Sequence, residues 1–495
     1  MASTGLWHAF VELCCRDEFS VTATTTTGTT MHRCFEIPEL VDEIVSHIPH
    51  FLDKYEPFLA VLARTARLFH DSALNRLWRS QHSLHPLLLC MPPDLVQEEF
   101  LNGKRSLKFL RPIQSSDWER PHHYARRVRS FSSSSRLDDL PYSVICPLLA
   151  LDAANDCIFP NLTHLLWIHS DENFPHIGLF LGPNITVLTI QCDASSLLAT
   201  LSLLPRKCPS VKCLDMSHAR DDSAVESTTT LPAPPRAQGP LLTALHFLQY
   251  QDPHPSVMSR LCELCLDNTL NTCELDIRCR DATQRIRSLL AALASSQRAL
   301  SDLQIRIWHP DETGDSLDLI ECLRPALGFA KLTRLHFLSR ARFHFDDLAI
   351  SEMARAWPEL ESLDIMMLGR AEGFRTTLQS IKHLALHCPN LRALSMDFTT
   401  DIIPSVGDAS NRRMSSLDVH QSPLLTSQVH PVARFLAAIF PNLREVSSHG
   451  TADSIKDRWE EVEVLLPSHV GESTRKKNAH SSTVLQKFFQ DLLRR

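Results

Sequence analysis

Two cysteines separated by two residues, Cys262 and Cys265, are the pair whose type and spacing most directly suggest chemistry. A structural zinc ion takes four sulfur or nitrogen ligands, so this pair would need a second cysteine pair or a histidine pair at metal-ligand spacing. We find no such pair nearby. The chain has 15 cysteines, an odd number spread over 495 residues, and its first thirty residues lack the pattern of a secretory signal. We therefore expect reduced thiols, no metal and no cofactor.

Histidines are the other residues with catalytic potential, and His122 and His123 stand side by side. The sequence has no GxSxG, GxxxxGKS/T, HExxH or GxGxxG segment and only 13 glycines. Exposed loop histidines are far commoner than catalytic ones. We therefore expect a binding protein without catalytic residues, and keep a hydrolase as an alternative that a serine- or cysteine-reactive activity probe would reveal.

Composition limits the kind of ligand. The net charge is −7, so the chain has no overall basic field for a phosphate backbone, and we expect no nucleic acid partner. No run of 18 apolar residues occurs, so we expect no membrane association and a location in the cytoplasm, the nucleus or both. With 43% apolar and 22% charged residues the chain is globular, and 495 residues are too many for a single core. The chain must be multi-domain or a repeat array.

The strongest pattern in the sequence is a repeated phrase: apolar, two residues, apolar, one residue, apolar. We count ten copies, separated by 23 to 52 residues, and in seven of them a proline stands two residues before the first apolar position. The shorter spacings fall in the range of leucine-rich repeats. The first positions of the ten copies are Leu162, Ile185, Val211, Leu242, Thr272, Leu300, Leu332, Leu360, Leu391 and Leu443.

Helical patterns lie between the phrases, for example Ile286, Leu289, Leu290 and Leu293 at spacings of three and four. Each unit therefore reads as strand, loop and helix. One such unit cannot bury its apolar face alone, but stacked units form a parallel sheet backed by helices. We predict an α/β fold, a curved leucine-rich-repeat solenoid with strands on its concave face and helices on its convex face.

Strand alternation turns the apolar positions inward and exposes their neighbours on the concave face. Taken singly, most of these polar residues would be merely solvated. Taken together, they predict a mixed, mildly acidic surface suited to a protein ligand, and Ser395 belongs to it. The residues that we assign to target binding are Asp215, His246, Asp276, Arg278, Arg306, Arg334, His336, Asp364 and Asp397.

The segment from Phe35 to Arg79 reads as three short helices, the first opened by Pro38. So small a bundle usually depends on a partner or on the neighbouring domain. From pattern alone, docking on a partner and capping of the solenoid are equally open.

The domain boundaries that we predict follow from these patterns. They are a threonine-rich tail at 1–30, a helical module at 31–80, a transitional segment at 81–158, the solenoid at 159–450 with loops at 219–239 and 402–429, and a C-terminal cap and tail at 451–495.

The helical module resembles an F-box, and the whole chain resembles the F-box proteins with C-terminal leucine-rich repeats, especially a large fungal group. The likeness is carried by the segment from Phe35 to Ile44 and by apolar residues downstream of it. In that family the F-box docks onto the Skp linker. The resemblance assigns linker contact to Ile37, Pro38, Leu40, Val41, Ile44, Leu62, Phe69, Leu77 and Trp78.

The resemblance implies a substrate-recognition adaptor of a cullin-RING ubiquitin ligase, with a Skp-type linker and a cullin scaffold as partners and an unknown protein as substrate. The alternative is a leucine-rich-repeat scaffold or sensor without a ligase, in which the N-terminal helices only cap the solenoid.

Overall fold

The protein is described here from a computed structural model. The structure describes residues 37–48, 56–101, 104–134, 157–169, 174–218, 241–278, 282–308, 317–340, 343–368, 375–449 and 453–466. The predicted tail at 1–30, the predicted loop at 219–239 and the residues after 466 lie outside the described residues. The chain divides into two compact units, Met1–Ile277 with Ser288–Leu300, and Arg278–Arg287 with Ser301–Arg495.

The first unit begins with three helices, as the sequence predicts: α1 Pro38–Ser46, α2 Glu56–Thr65 and α3 Arg67–Trp78. Pro38 opens α1, where its missing N–H has no helical partner to lose. Both α1 and α2 pack against α3. The buried side chains of the three helices are Val41, Val45, Leu59, Ala60, Ala63, Ala73, Leu74, Leu77 and Trp78.

A segment of short elements follows. In chain order they are β1 Ser80–Gln81, α4 His85–Leu88, the antiparallel hairpin of β2 Val96–Leu101 and β3 Lys104–Phe109, α5 Glu119–Ala125 and β4 Ser130–Ser134. Strand β1 pairs with β4 in parallel, so the repeat sheet already begins here and not at 159. The phrase at this point is Val128, Phe131 and Ser133, all fully buried. A serine at the third position conceals it in the sequence.

The remaining elements of the first unit alternate between strands and helices. They are β5 His164–Ile168, β6 Val187–Cys192, α6 Ala194–Lys207, β7 Cys213–His218, β8 Phe247–Gln251, α7 Pro255–Leu264, β9 Thr272–Ile277 and α8 Ala282–Ser296, of which the residues from Ser288 onward belong to this unit. Every neighbouring pair from β4 to β9 is parallel. Asp193 caps α6 by accepting hydrogen bonds from the backbone N–H groups of Ser195 and Ser196.

The second unit repeats the same plan. Its elements are β10 Asp302–Ile307, β11 Leu317–Asp318, α9 Leu319–Leu323, β12 Arg334–Ser339, β13 Phe343–His344, α10 Asp347–Ala356, β14 Ser362–Met367, α11 Leu378–His387, β15 Ala393–Ser395, β16 Ser416–Asp418, α12 Val429–Ile439, β17 Glu445–Ser447 and α13 Asp453–Val464. Parallel pairing runs from β10 through β12, β14, β15 and β16 to β17.

The fold class is therefore the predicted one: an α/β protein with thirteen described helices and, within each of the two units, successive strands that pair in parallel. Burial alternates along the strands; in β6, for example, Leu188, Ile190 and Cys192 are buried and their neighbours are not. No helix among the described residues is both long and apolar enough to cross a membrane.

The structure corrects the frame of two predicted copies. The register aligns Leu214 with Leu248 and Met216 with Tyr250, so the fourth copy is Leu245, Leu248 and Tyr250 rather than one that starts at Leu242. Leu242 is also buried, which made the wrong frame look equally good. The fifth copy likewise starts at Leu270 and not at Thr272, because Cys273 takes its second position.

The predicted loop at 402–429 contains a further repeat, so this boundary was wrong. Strand β16 lies inside it and pairs with both β15 and β17. Its phrase is Met414, Leu417 and Val419, all fully buried. The gap of 52 residues after Leu391 is thus two ordinary spacings of 23 and 29 residues. Methionine and valine in place of leucine hid this copy.

Candidate functional site

The N-terminal helices leave two rows of large apolar side chains in water. On α1 and at its N-cap these are Ile37, Leu40 and Ile44, and on α2 they are Phe58 and Val61. Each of the five is between 42% and 54% exposed. Spacings of three and four put the members of each row on one helix face. Exposed apolar residues grouped in this way are typical of a surface that another protein covers.

The predicted linker-contact residues divide into exposed and buried ones. Pro38 is exposed like the row on α1, and Leu62 and Phe69 are half-buried. Val41, Leu77 and Trp78 are core residues of the helical module, so the assignment of direct contact to these three was wrong. They face inward because α3 is the helix against which the other two pack. The sequence analysis missed Phe58 and Val61, whose i, i+3 spacing was the available signal.

The helical module is joined to the segment that follows it. The ring of Trp78 stacks on Tyr124 of α5 with 4.9 Å between centroids. Arg127 donates to Asp71 Oδ1 at 2.8 Å and to Asn75 Oδ1 at 2.5 Å, both on α3. The hydrogen bond from Arg127 holds the pKa of Asp71 below its ordinary value.

On the strands of the first unit, the outward side chains form an acidic surface rich in amides. The register places Asp215, Gln249 and Glu274 side by side on β7, β8 and β9. Burial, with Asp276 and Glu274 nearby, raises the pKa of Asp215 to about 6. Asp215 Oδ1 is buried and accepts no hydrogen bond. This carboxylate therefore lacks a compensating donor.

Two predicted target-binding residues of this unit are placed differently by the structure. His246 precedes β8 and is not in the strand row, because the fourth copy starts three residues later than predicted. Gln249 occupies the position next to Asp215 instead. Asp276 is on the outward side of β9 but only 9% exposed, so its carboxylate contributes charge more than contact.

In the second unit, three predicted arginines are only partly available. Arg334 is exposed on β12 and donates to Asp302 Oδ2 on β10 at 2.8 Å. Arg306 is half-buried on β10 and donates to Gln304 Oε1 at 3.2 Å. Arg278 is half-buried and is the first residue of the second unit, which begins with Arg278–Arg287.

Further along the same unit, polar side chains on neighbouring strands are joined by hydrogen bonds. His336 Nδ1 is 2.8 Å from Asp364 Oδ2, and Asp364 Oδ1 accepts from the hydroxyl of Ser395 at 2.8 Å. Ser395 also contacts His420 Nε2. Burial alone raises the pKa of Asp364, but the hydrogen bonds from His336 and Ser395 and the nearby imidazoles outweigh it, and the net pKa is lowered.

Asp397 was predicted to face a target, but it is 5% exposed and its role is internal. Its Oδ1 accepts a hydrogen bond of 2.8 Å from the backbone N–H of Gln421. Burial raises the pKa of Asp397. The structure adds Asp418, His420 and His449 to the polar residues of this region. Asp418 and His420 were not predicted, because Asp418 belongs to the concealed copy at 414–419 and His420 directly follows it.

The contact between a serine and a histidine invites comparison with a nucleophile and its base. An ionised Asp364 can only accept the single hydroxyl proton of Ser395, so His420 must donate from Nε2 to the serine oxygen. In a hydrolytic triad the histidine accepts the proton of the serine. At Ser395 the histidine donates the proton instead, so the hydrogen bond runs in the direction opposite to that of a triad.

Cys262 and Cys265 line a cleft of about 390 Å³ between α7 and α8, together with Ser259, Glu263 and Ser296. Burial raises the pKa of each thiol to about 12, so both are protonated at neutral pH. Within the described part of the chain, no group of three or more metal-ligating side chains could hold an ion.

The successive strand-and-helix units on a parallel sheet define an α/β protein with leucine-rich-type repeats. No family model matches the chain, and no curated protein matches it.

Among solved structures, the chain is similar to a protein from Bacteroides fragilis at 11% identity and a TM-score of 0.29, over 73% of this chain and 85% of that one. It is also similar to a chain of the yeast Rad7 and Elc1 complex at 16% identity and a TM-score of 0.33, over 83% of this chain and 92% of that one. At such TM-scores neither structure assigns a role to any residue of this chain.

Proposed function

We propose that this protein is the substrate-recognition adaptor of an SCF-type cullin-RING ubiquitin ligase. Its helical module binds the Skp-type linker, which the cullin scaffold carries, and the outward strand surfaces hold a protein target. The observation that carries the proposal is the pair of apolar rows on α1 and α2, which are exposed in the described part of the chain. They stand on a segment whose sequence resembles an F-box.

The two exposed rows offer a partner several apolar side chains on neighbouring helices. Full burial of one large apolar side chain contributes about 1.5 to 3 kcal/mol, so even partial burial of five would contribute several kcal/mol toward the cost of association. Acidic residues border the row on α1, at Glu39, Asp42 and Glu43. An apolar centre with a charged rim is the usual composition of a protein interface.

Co-purification with a recombinant Skp-type linker tests the adaptor proposal. Leu40→Asp places a charge at the centre of the α1 row, and we expect recovery of the linker to fall at least about tenfold. Leu40 is exposed, so the variant keeps its core. Leu203→Asp on α6 is the matched control, since both leucines are 42% exposed, and it should leave recovery unchanged.

A scaffold or sensor without a ligase is the second candidate. The contacts of Trp78 with Tyr124 and of Arg127 with Asp71 favour it, because they join the helices to the repeats as a cap would be joined. Failure of the wild-type protein to recover the linker at low salt would reject the adaptor proposal in favour of this one. Equal recovery by wild type and Leu40→Asp would show that the α1 row is not the contact.

A further inference from the structure

A set of hydrogen bonds, all but one of them between side chains, crosses five strands of the second unit. From β12 to β15 it passes from His336 to Asp364 and then to Ser395, with both hydrogen bonds at 2.8 Å. Ser395 then contacts His420 Nε2, which lies just after β16. We call the set His336, Asp364, Ser395, His420, Asp418 and His449 the cross-strand chain.

The cross-strand chain continues to the last strand. The backbone N–H of His420 donates to Asp418 Oδ1 at 3.0 Å, and Asp418 Oδ2 lies 2.8 Å from His449 Nδ1. His449 follows β17. One carboxylate thus joins the turn after β16 to the turn after β17.

Four of these residues, Ser395, Asp418, His420 and His449, lie on or just after strands whose backbone pairing is short. Strands β15, β16 and β17 have three residues each, whereas β12 and β14 have six. Short strands contribute few ladder hydrogen bonds, so cross-strand side-chain pairs carry a larger part of their cohesion. Local opening of a structure begins where such contacts are fewest.

We propose that the cross-strand chain is a pH-sensitive device, which makes β16 and β17 open less often in mildly acidic solution than above neutral pH. His449 is the proton-binding group at its end. The inference needs neither a linker nor a target and does not rest on the proposed function.

The charges around His449 decide the direction. The hydrogen bond to Asp418 raises the pKa of His449, burial opposes this, and Lys456 of α13 lowers it while Glu445 of β17 raises it. The net pKa lies above the ordinary value. Folding therefore favours the protonated ring, and its contribution is complete below a pH of about 6.5 and lost as pH rises through the raised pKa.

The carboxylate of Asp364 sets the acidic limit. Its pKa is lowered in the fold because the hydrogen bonds from His336 and Ser395, with His420 nearby, outweigh burial. A lowered pKa contributes stability above the ordinary value and loses it as pH falls further. The cross-strand chain is therefore strongest between a pH of about 4 and about 6.5.

Hydrogen exchange of the full-length protein tests the proposal. After correction for intrinsic exchange rates, peptides covering β16 and β17 should open about two- to fivefold more often at pH 8.5 than at pH 6. His449→Gln keeps a polar side chain without the titration, and its opening should not change between these pH values. His164→Gln is the control, because His164 is exposed on β5 of the first unit, and it should retain the wild-type change.

Asp418→Asn removes the carboxylate that contacts both the backbone N–H of His420 and the ring of His449. This variant should lose the dependence of β16 and β17 opening on pH. Circular dichroism at pH 6 shows whether each variant is folded before it is compared. Equal pH dependence in wild type and His449→Gln would overturn the proposal. So would a pKa of His449 at or below the ordinary histidine value, measured by NMR on protein labelled at histidine.

Discussion

At the scale of single residues, Asp215 carries an unsatisfied buried oxygen on the strand surface of the first unit. Folding raises its pKa to about 6, and one of its oxygens is buried without a donor. A carboxyl group whose pKa is raised in the fold favours the protonated state, so stability is lost as pH rises from about 4 through 6. At neutral pH the folded protein bears this penalty unless a partner supplies a donor.

Asp215→Asn should therefore stabilise the protein at pH 7.5 by about 1 to 2 kcal/mol, after allowance for solvent screening, and leave it unchanged at pH 4. Denaturant unfolding at both pH values measures this. Asp193→Asn provides the opposite case. Burial raises the pKa of Asp193, but hydrogen bonds at the start of α6 outweigh burial and lower it to about 2, so that variant should lose stability at pH 7.5. A destabilised Asp215→Asn at pH 7.5 would contradict the assignment.

At the scale of elements, the concealed copy at 414–419 behaves as a full repeat. Leu417 is completely buried between its neighbours even though β16 has only three residues. Truncation of a fully buried leucine leaves a cavity that the surroundings fill only in part. A loop, which is what the sequence predicted here, would tolerate the change.

Leu417→Ala should accordingly destabilise the protein by about 2 to 4 kcal/mol, measured by urea unfolding followed by circular dichroism. Leu425→Ala is the matched control in the same segment, since Leu425 is 58% exposed, and it should change stability by less than about 0.5 kcal/mol. Similar small effects for both leucines would mean that β16 does not belong to the core.

At the scale of the whole molecule, the proposed adaptor function requires both binding surfaces to be intact. Leu40→Asp should still bind targets but fail to deliver them, so proximity labelling without a proteasome inhibitor should recover more target than with wild type. Arg334→Glu alters the strand surface and should recover less. Arg298→Glu, an exposed arginine after α8, should match wild type. Identical labelling by all four proteins would reject the two-surface mechanism.

Much of the fold follows from the sequence, because the three positions of the phrase are buried in every copy except the last, where Ser448 is half-buried. Where one position changes type, as at Ser133 or Met414, the periodicity loses its signal although the packing does not change. The sequence of a single copy does not determine the register between its strand and the neighbouring strands. Leu242 and Leu245 are both buried, so burial does not decide which of them begins the fourth copy. Only the pairing with β7 decides it, and this pairing places Gln249, not His246, next to Asp215.

The candidate site could be predicted only where its residues belong to recognised strands. His336 and Asp364 were found because their copies are regular, and their contact requires only that β12 and β14 be neighbours. Asp418 and His420 stand in the segment that the sequence analysis took for a loop. For the helical module, the pattern predicts three helices but not which apolar residues face α3. That division separates Leu40 from Val41, two adjacent residues with opposite exposure.

Of the ten cysteines that the structure describes, nine are buried, and they are distributed from Cys90 to Cys388. Because these side chains meet reagents only when the surrounding repeat opens, a maleimide pulse followed by peptide mapping would report, repeat by repeat, which part of the chain unfolds first. Because unfolding exposes these buried thiols, keeping the unfolded protein in air would damage it. Each exposed sulfur could then be oxidised or joined to the wrong partner, and refolding would succeed only with a reductant present.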